Sequence, residues 1–465
     1  MADPEEHHHS HGHAHSHDAI DWSAFRTNRV LQGVLVLVAT AAVATILAIV
    51  ALWPTDEGRQ NAVEQGEQVG LGSDRYAATV TSVVEGPCSY STSSRPQDCR
   101  RVSFQVDEGP FAGETHEFQE FNLTLDAITP DVEIGDGVIA GYEPSTGFWF
   151  YADLDRRTPL VVLALVFAAV VIALGRWRGI AALAGMAVTL AVLVVFVARS
   201  VLDGNDPLLV SVVAASAIAF VSLYLTHGLN PTTTVALAGT LVSLLMTLAL
   251  ASVFFAVARF TGLASEEALL LPFIAGDIDL SSLLLGGAVL GTLGALDDVT
   301  VTQVATVAEL HRRSPELGVG ELVASGIRVG RDHIASTVNT LLLAYAGASM
   351  PLLLLFAASD QSLDKVANSE LISVEIVRTL CGSIGLVAAV PITTVLAALV
   401  TERASGGDET ASAEEAAPLT RTMPTSPPLA APVGDDDADD AEDDTEEPAP
   451  APSWDDFAPE DNERW

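Results

Sequence analysis

The chain has 465 residues, 49% of them apolar, and carries a formal net charge of −38. No compact soluble domain combines this apolar content with so large a charge, so charged and apolar residues must occupy separate segments, as in a membrane protein with polar appendages. Of the 22 basic residues all but Lys365 are arginine, a bias typical of GC-rich bacterial genomes. They form no run, which argues against nucleic-acid binding.

The first 29 residues contain the histidine-rich sequence HHHSHGHAHSHD. Neutral imidazole nitrogens are favoured ligands of Zn²⁺, Ni²⁺ and Cu²⁺, so this disordered, cytoplasmic segment is expected to bind such ions weakly and reversibly. A solvated segment without a metal role is the alternative, since no cysteine or carboxylate recurs at the spacing of a closed tetrahedral site. No other cofactor is expected. The histidines are His7, His8, His9, His11, His13, His15 and His17.

Eight apolar segments are long enough to cross a bilayer as helices. Arg29 precedes the first, and Arg176 and Arg178 separate the second from the third, whereas Arg199 falls on the other side. The positive-inside rule therefore favours both termini in the cytoplasm and the bundle in a bacterial plasma membrane. The predicted segments are 30–53, 159–175, 180–198, 207–225, 231–258, 280–296, 334–358 and 374–400.

Residues 54–158 carry nineteen acidic residues against seven arginines. Short alternating stretches such as RRVSFQV and GDGVIAGY, separated by Gly, Pro and Asp, predict strands. The segment is expected to form a small extracytoplasmic β domain, either OB-like or another compact barrel. Cys88 and Cys99 lie in it, and a disulfide between them is expected outside the cytoplasm, with two free thiols as the alternative.

The sixth segment continues into the polar sequence LDDVTVTQVATVAELHRR. Asp298, Thr302 and Glu309 recur there at i, i+4 and i+11, and therefore share one helix face. A carboxylate at the membrane boundary is costly unless it is paired or functional, so these residues are candidates for a polar site. A cytoplasmic helix with a hydrated polar face explains the same pattern.

The seventh and eighth segments also carry polar residues. Asp332, Asn339 and Thr340 lie on a stripe that enters an otherwise apolar helix, where the amide of Asn339 requires a partner. Glu375 and Arg378 are spaced i, i+3 in the last segment and can neutralise each other. Polar residues on three successive segments predict one shared interior polar site, and simple hydrogen bonding between helices is the alternative.

The final segment, residues 402–465, holds twenty acidic residues and three arginines. Such a composition cannot bury enough apolar surface to fold, so a disordered cytoplasmic tail is expected. This tail, or the cytoplasmic segment from Arg312 to Arg331, would contact any protein partner, while the bilayer surrounds the helices. The predicted domains are 1–29, 30–53, 54–158, a seven-helix membrane domain over 159–401, and 402–465.

Three motifs follow the first span and the β domain: GTLGALDD, SGIRVGRD with STVNTLLLAYAGASMP, and GSIGLVAAVP. In this order the chain resembles the YibE/F family of bacterial membrane proteins. The resemblance implies an N-terminal span, an exported β domain and seven further spans, but no established activity. It leaves open whether Asp297 or Asp298 is the family's acid. The positions that it implies are Asp298, Glu309, Gly330, Arg331, Asp332, Asn339, Thr340, Tyr345 and Gly347.

Polar residues on several spans favour a transporter or permease for a small solute or ion. Residues 321–326, ELVASG, are similar to the loop by which some permeases contact a separate ATPase, so a subunit of an ABC-type system is one alternative. A membrane scaffold or sensor is another. An enzyme is not expected, because the sequence contains neither HExxH nor GxSxG.

Overall fold

The computed structural model describes residues 28–68, 73–92, 96–124, 130–276, 278–358 and 362–414. The histidine-rich segment and the tail beyond residue 414 lie outside these ranges. The helices are α1 (Arg29–Ala51), α2 (Glu57–Gln68), α3 (Arg157–Ala191) with a π-helical continuation (Val192–Ala198), α4 (Arg199–Leu202), α5 (Pro207–His227), α6 (Pro231–Ala258), α7 (Glu266–Ala275), α8 (Leu280–Arg313), α9 (Val319–Ala348), α10 (Met350–Ala358), α11 (Leu363–Asn368) and α12 (Glu370–Glu414).

Six helices of the described residues are long and apolar enough to cross a membrane, and the bent pair α9–α10 makes a seventh candidate. One of the six, Arg157–Leu202, is interrupted at Arg176, whose φ of 52° and ψ of −126° are not helical. A Cβ on Gly179 would lie only 2.3 Å from the carbonyl oxygen of Val171. In a continuous helix, eight residues advance the chain by about 12 Å. The chain therefore turns back at Arg176, between the predicted segments 159–175 and 180–198.

The seventh candidate bends by 63° where α9 meets α10. Pro351, the second residue of α10, has no backbone N–H to donate to the preceding turn, which explains a break at this point. The predicted segment 334–358 is thus two helices. Helical structure also begins earlier, at Val319, because polar residues extend α9 beyond its apolar part.

The membrane helices pack through small and hydroxyl-bearing residues. A Cβ on Gly239 of α6 would lie 2.6 Å from the hydroxyl oxygen of Thr393 in α12. Thr240 of α6 and Thr300 of α8 share a buried hydrogen bond of 2.7 Å between their hydroxyl groups. Close approach at small residues and hydroxyl bonds between helices drive association in lipid, so α6, α8 and α12 form the centre of the bundle, with α5 beside α8.

Two sets of hydrogen bonds define the ends of the bundle. The side-chain amide of Asn28, the N-cap of α1, donates to the carbonyl oxygen of Val400 at 3.0 Å. The carboxylate of Glu370 accepts from the backbone N–H groups of Thr261 and Gly262, each at 2.7 Å. Because α12 runs from Glu370 past Val400, these contacts mark opposite ends of the bundle, the Asn28 end and the Glu370 end.

The segment between α2 and α3 folds as an antiparallel sheet with the strand order β3-β2-β1-β5-β6, and β4 pairs with β2. Trp149 on β6 stacks on His116 on β3 with ring centroids 4.7 Å apart, and Phe104 on β2 packs against Trp149. The edge strands therefore face each other across an aromatic core. Cys88 and Cys99 are joined by a disulfide. The strands are β1 (Asp74–Pro87), β2 (Asp98–Val106), β3 (Thr115–Glu117), β4 (Phe121–Asn122), β5 (Gly137–Glu143) and β6 (Phe148–Leu154).

Helix α2 is not predicted by the sequence, because its residues are mostly polar. Its start is held by Asp203, in the turn after α4, whose carboxylate accepts hydrogen bonds from the backbone N–H groups of Thr55 and Gly58. A Cβ on Gly58 would lie 2.1 Å from the carbonyl oxygen of Leu202, so only glycine allows this approach. Burial alone would raise the pKa of Asp203, but the hydrogen bonds outweigh it and the pKa lies below its ordinary value. Asp203 therefore ties α2 to the bundle.

Two helices extend beyond the apolar segments from which the membrane spans were predicted. Helix α12 continues to Glu414, so residues 402–414 are helical, although the sequence assigns them to a disordered tail. Alanine and glutamate in this stretch favour a helix, which is not apparent from the composition of the whole tail. Helix α8 continues past the predicted apolar span, which ends at residue 296, to Arg313, as the helical spacing of Asp298, Thr302 and Glu309 predicts.

Candidate functional site

A cavity of about 420 Å³ lies between the second half of α3, α5 and α8. Residues of α8 at i, i+3, i+4, i+7 and i+8 from Leu290 form one wall, as expected for a single helix face. Gly294 lies in the middle of this wall and leaves space for the cavity. Seven polar residues make this the acidic cavity: Thr189, Ser222, Thr226, His227, Asp297, Asp298 and Thr302.

Asp297 and Asp298 bring two adjacent carboxylates to the acidic cavity. Consecutive helix residues point about 100° apart, so both reach the cavity only because it extends around this side of α8. Asp298 is exposed, whereas Asp297 is half-buried. The Oδ1 atom of Asp297 is buried and has no hydrogen-bond partner among the described residues. A buried carboxylate oxygen without a donor is stabilised by a proton or a cation.

The Asn28 end of the acidic cavity is marked by His227, the last residue of α5. Asp298 and Arg178 both act electrostatically on this imidazole. Carboxylate and hydroxyl oxygens are the ligands that hard cations prefer, so the lining suits a cation better than an anion. Within the described ranges, no three or more His, Cys, Asp or Glu residues are grouped as they would be to hold a metal ion. The cavity thus offers an oxygen-rich surface without a preformed metal cage.

Helix α3 forms another wall of the cavity, at the point where its helical form changes. Thr189 lies in the last turn of α3 before Val192–Ala198, which is π-helical, and Leu193 lies within that π-helical segment. π-Helical segments are rare, and they occur often at functional sites. This irregularity is a second reason to regard the cavity as the functional site.

Of the three residues predicted to share a face of α8, two line the acidic cavity and one does not. Asp298 and Thr302 are part of the lining. Glu309, two turns further along, accepts hydrogen bonds from the guanidinium groups of Arg312 at 2.8 Å and of Arg313. Its carboxylate is therefore neutralised within the end of α8, outside the cavity.

Tyr345, Glu375 and Arg378 lie in a second place, toward the Glu370 end. Glu375 and Arg378 form an ion pair of 3.0 Å within α12, as their spacing predicts. Tyr345 and Glu375 line a separate hollow of about 200 Å³ between α9 and α12. This hollow is almost entirely apolar apart from the paired charges, so it offers no free charge to a solute.

The remaining predicted residues lie in a third place, on the outer face of α9. Helix α9 packs against α8 and α12 through its opposite face, where Gly326 and Gly330 are buried. The polar residues that the sequence assigns to one shared site are therefore divided among three places, because the glycine face and not the polar stripe of α9 makes the helix contacts. The residues on the outer face are Arg331, Asp332, Asn339 and Thr340, all exposed.

Sequence reasoning missed a buried polar contact among α8, α9 and α12. The side-chain amide of Gln303 donates to the carbonyl oxygen of Gly326 at 2.8 Å and to the hydroxyl oxygen of Thr394 at 2.7 Å. A Cβ on Gly330 would lie 2.9 Å from Oε1 of Gln303, so glycine is needed there as well. The GxxxG spacing of the two glycines was the available signal. No sequence signal identified His227, Ser222 and Thr226, because polar residues at the end of an apolar helix are common.

Comparison with curated proteins and with solved structures found no significant match. A profile of the family described as YibE/F-like protein matches residues 163–403, which is more than half of the chain and includes α5, α6, α8 and α9. The match includes both carboxylates of the acidic cavity and confirms the resemblance that the motifs indicate. The chain belongs to the YibE/F-like family, and is a membrane protein.

Proposed function

We propose that this YibE/F-like protein transports a small cation and binds it in the acidic cavity. The observation that carries the proposal is the pair Asp297 and Asp298 in the wall of a cavity between membrane helices. Ionised side chains inside membrane segments are rare because their desolvation is costly, and they usually mark an ion or proton pathway. No protein cation neutralises Asp297 at the described positions, so a proton or a bound cation is needed to balance its charge.

The cavity provides for both binding and release. Two carboxylates attract a cation, while the hydroxyl groups of Ser222 and Thr226 replace part of its water. Because the described residues include no cage of three metal-binding side chains, binding is weak enough to be reversible, as transport requires. No bond of the solute is made or broken, and the proposed activity is transport without catalysis.

The proposed topology has eight spans and both termini in the cytoplasm of a bacterial cell. It counts the two halves of Arg157–Leu202 separately and the bent pair α9–α10 as one span. The Asn28 end then faces the cytoplasm, since Arg178, Arg312 and Arg313 lie there. The sheet lies outside, where its disulfide is stable.

The structure does not favour the ABC-type alternative. Residues 321–326 form the first turns of α9 rather than an exposed loop, and Leu322 and Gly326 are buried. A scaffold or sensor role has no observation of its own among the described contacts. The acidic cavity is therefore the observation that supports cation transport over these alternatives.

The test is uptake into vesicles that contain the purified protein, with H⁺, Na⁺, K⁺ and Zn²⁺ supplied one at a time. The wild-type protein is expected to accelerate entry of at least one of them. Asp297→Asn and Asp298→Asn are each expected to raise KM about 30-fold, as for about 2 kcal/mol of lost charge pairing. Glu309→Gln is the matched control, a carboxylate on the same helix outside the cavity, and leaves KM unchanged.

Two results would contradict the proposal. One is that the wild-type protein accelerates none of the four cations. The other is that both cavity variants transport the cation with the KM of the Glu309→Gln protein, which would remove the carboxylates from the binding site.

A further inference from the structure

The outer face of α9 is an unusual surface for a membrane helix. Positions three and four residues apart share one helix face, and such a face can form the contact line between two helices that coil around each other. The positions of this kind on the outer face are all exposed except Ala346, which is half-buried. This outer stripe consists of Asp332, Ala335, Asn339, Leu342 and Ala346, the last two of which also border the apolar hollow between α9 and α12.

The depth of the outer stripe follows from the helix against which α9 packs. A Cβ on Gly330 would lie 2.5 Å from Val390, and one on Gly382 would lie 3.6 Å from Leu341, so α9 runs antiparallel to α12. Asn339 lies between these two contacts. It is therefore level with the middle of the candidate span Glu370–Thr401, deep in the hydrocarbon.

The amide of Asn339 is unsatisfied at that depth. The neighbouring hydroxyl groups of Thr337 and Thr340 donate to the carbonyl oxygens of His333 and Ser336 in their own helix, at 2.9 and 3.0 Å. Asn339 has no hydrogen-bond partner in the part of the chain that the structure describes. A primary amide that faces lipid tails costs several kcal/mol, whereas an amide between helices associates them.

We propose that a second copy of this chain covers the outer stripe, with α9 packed parallel to α9 about a two-fold axis along the helices. An amide carries both donors and an acceptor, so Asn339 of each copy can donate to Asn339 of the other. A single asparagine in such a seam also fixes the register of the two helices. Ala335 and Ala346 on either side allow close approach.

The charges at one end of the stripe match the same symmetry. Arg331 and Asp332 are exposed and adjacent, and Asp332 belongs to the outer stripe whereas Arg331 lies about 100° to one side of it. Neither forms an ion pair with any residue that the structure describes. A parallel two-fold contact places Arg331 of each copy beside Asp332 of the other. The surface is therefore complementary to itself, which selects a second copy over an unrelated helix.

Cysteine cross-linking in vesicles tests this contact. In a Cys381→Ala background, which leaves the disulfide of the β domain intact, Ala335→Cys and Leu342→Cys are oxidised and dimers are separated on gels. Leu163→Cys on α3 is the matched control for Leu342→Cys. Each leucine lies six residues from the Glu370 end of its helix, and Leu163 is 64% exposed whereas Leu342 is 51% exposed. Dimers at the two α9 positions are expected at least about fivefold above the control.

A second set of variants separates the contact from a folding defect. Asn339→Leu is expected to weaken dimerisation about tenfold in energy-transfer measurements across a range of protein-to-lipid ratios, while Asn339→Gln retains it. Arg331→Asp and Asp332→Arg each weaken it, and the double swap restores it. Restoration cannot occur if the single variants merely misfold.

The proposal is overturned if the protein stays monomeric at every protein-to-lipid ratio, or if the α9 positions cross-link no more than Leu163→Cys. It is also overturned if another protein occupies the outer stripe while this chain remains monomeric.

Discussion

Carboxylates are used differently at the Glu370 end of the bundle and in the acidic cavity. At the Glu370 end, Glu370 and Asp203 accept hydrogen bonds from backbone N–H groups of other segments. In the cavity, one oxygen of Asp297 is buried with no such donor among the described residues. The carboxylates of Glu370 and Asp203 have hydrogen-bond donors within the chain and connect its segments. The carboxylate of Asp297 lacks such a donor, and this contrast is the basis for the proposed function.

The largest expected effect is at Glu370. Glu370→Ala removes the acceptor of the Thr261 and Gly262 N–H groups and should lower the free energy of unfolding by about 2 kcal/mol, the range for hydrogen bonds to a charged group. Titration of detergent-solubilised protein with dodecyl sulfate measures this. Glu370→Gln retains an acceptor and should lose less, and neither variant should change the KM for the cation. A change in KM with unchanged stability would break the comparison.

Asp203 is expected to show a smaller effect of the same kind, with a dependence on pH. Asp203→Ala removes the cap of α2 and should cost about 1 kcal/mol. The pKa of Asp203 is lower in the folded protein than in the unfolded chain, where it is about 3.9. The stability that the carboxylate contributes is therefore fully present above the unfolded pKa and is lost as the pH falls through the folded pKa. Asp203→Asn keeps a capping group and should remove that part of the acid dependence. The same unfolding titration at a series of pH values detects it.

Asp297 should behave in the opposite way. Asp297→Asn removes a carboxylate that lacks a protein partner, so stability should stay the same or rise by about 0.5 kcal/mol while cation uptake falls. Loss of stability as large as at Glu370, measured by the same titration, would assign Asp297 a structural role.

Glu309 gives the smallest effect. Its pairs with Arg312 and Arg313 are at the exposed end of α8, and such pairs contribute about 0–1 kcal/mol. Glu309→Gln should therefore leave both the unfolding titration and uptake almost unchanged. If Glu309→Gln reduced uptake as much as Asp297→Asn, the site would extend along α8 to Glu309. The contrast between structural carboxylates and cavity carboxylates would then be weaker.

Apolar length located the membrane helices well, because the requirement to satisfy backbone groups in lipid makes them long and apolar. The segment predicted at 231–258 coincides with α6, and the turn at Arg176 separates two predicted segments. The end of α12 was placed too early, because its polar continuation has the composition of the tail, whereas the spacing of Asp298, Thr302 and Glu309 indicated the continuation of α8. Helix α2 was missed because its partner, Asp203, is distant in sequence.

The site was predicted less completely than the helices. A pattern on one helix identifies which residues share a face, and it correctly grouped Asp298 with Thr302. It cannot identify which face packs inward, because that depends on other helices. On α9 the contacts are made by Gly326 and Gly330, which turns Asn339 outward. His227 joins the cavity only through the packing of α5 beside α8.

The most direct test of the cation site is protection of its carboxylates from dicyclohexylcarbodiimide, which modifies carboxyl groups in apolar surroundings. Purified protein is treated with and without each of Na⁺, K⁺ and Zn²⁺ and digested, and the modified residues are quantified by mass spectrometry. Modification of Asp297 or Asp298 should fall with increasing concentration of one cation, while that of Glu309 stays constant. Equal modification of the cavity carboxylates with and without every cation would contradict a cation site in the acidic cavity.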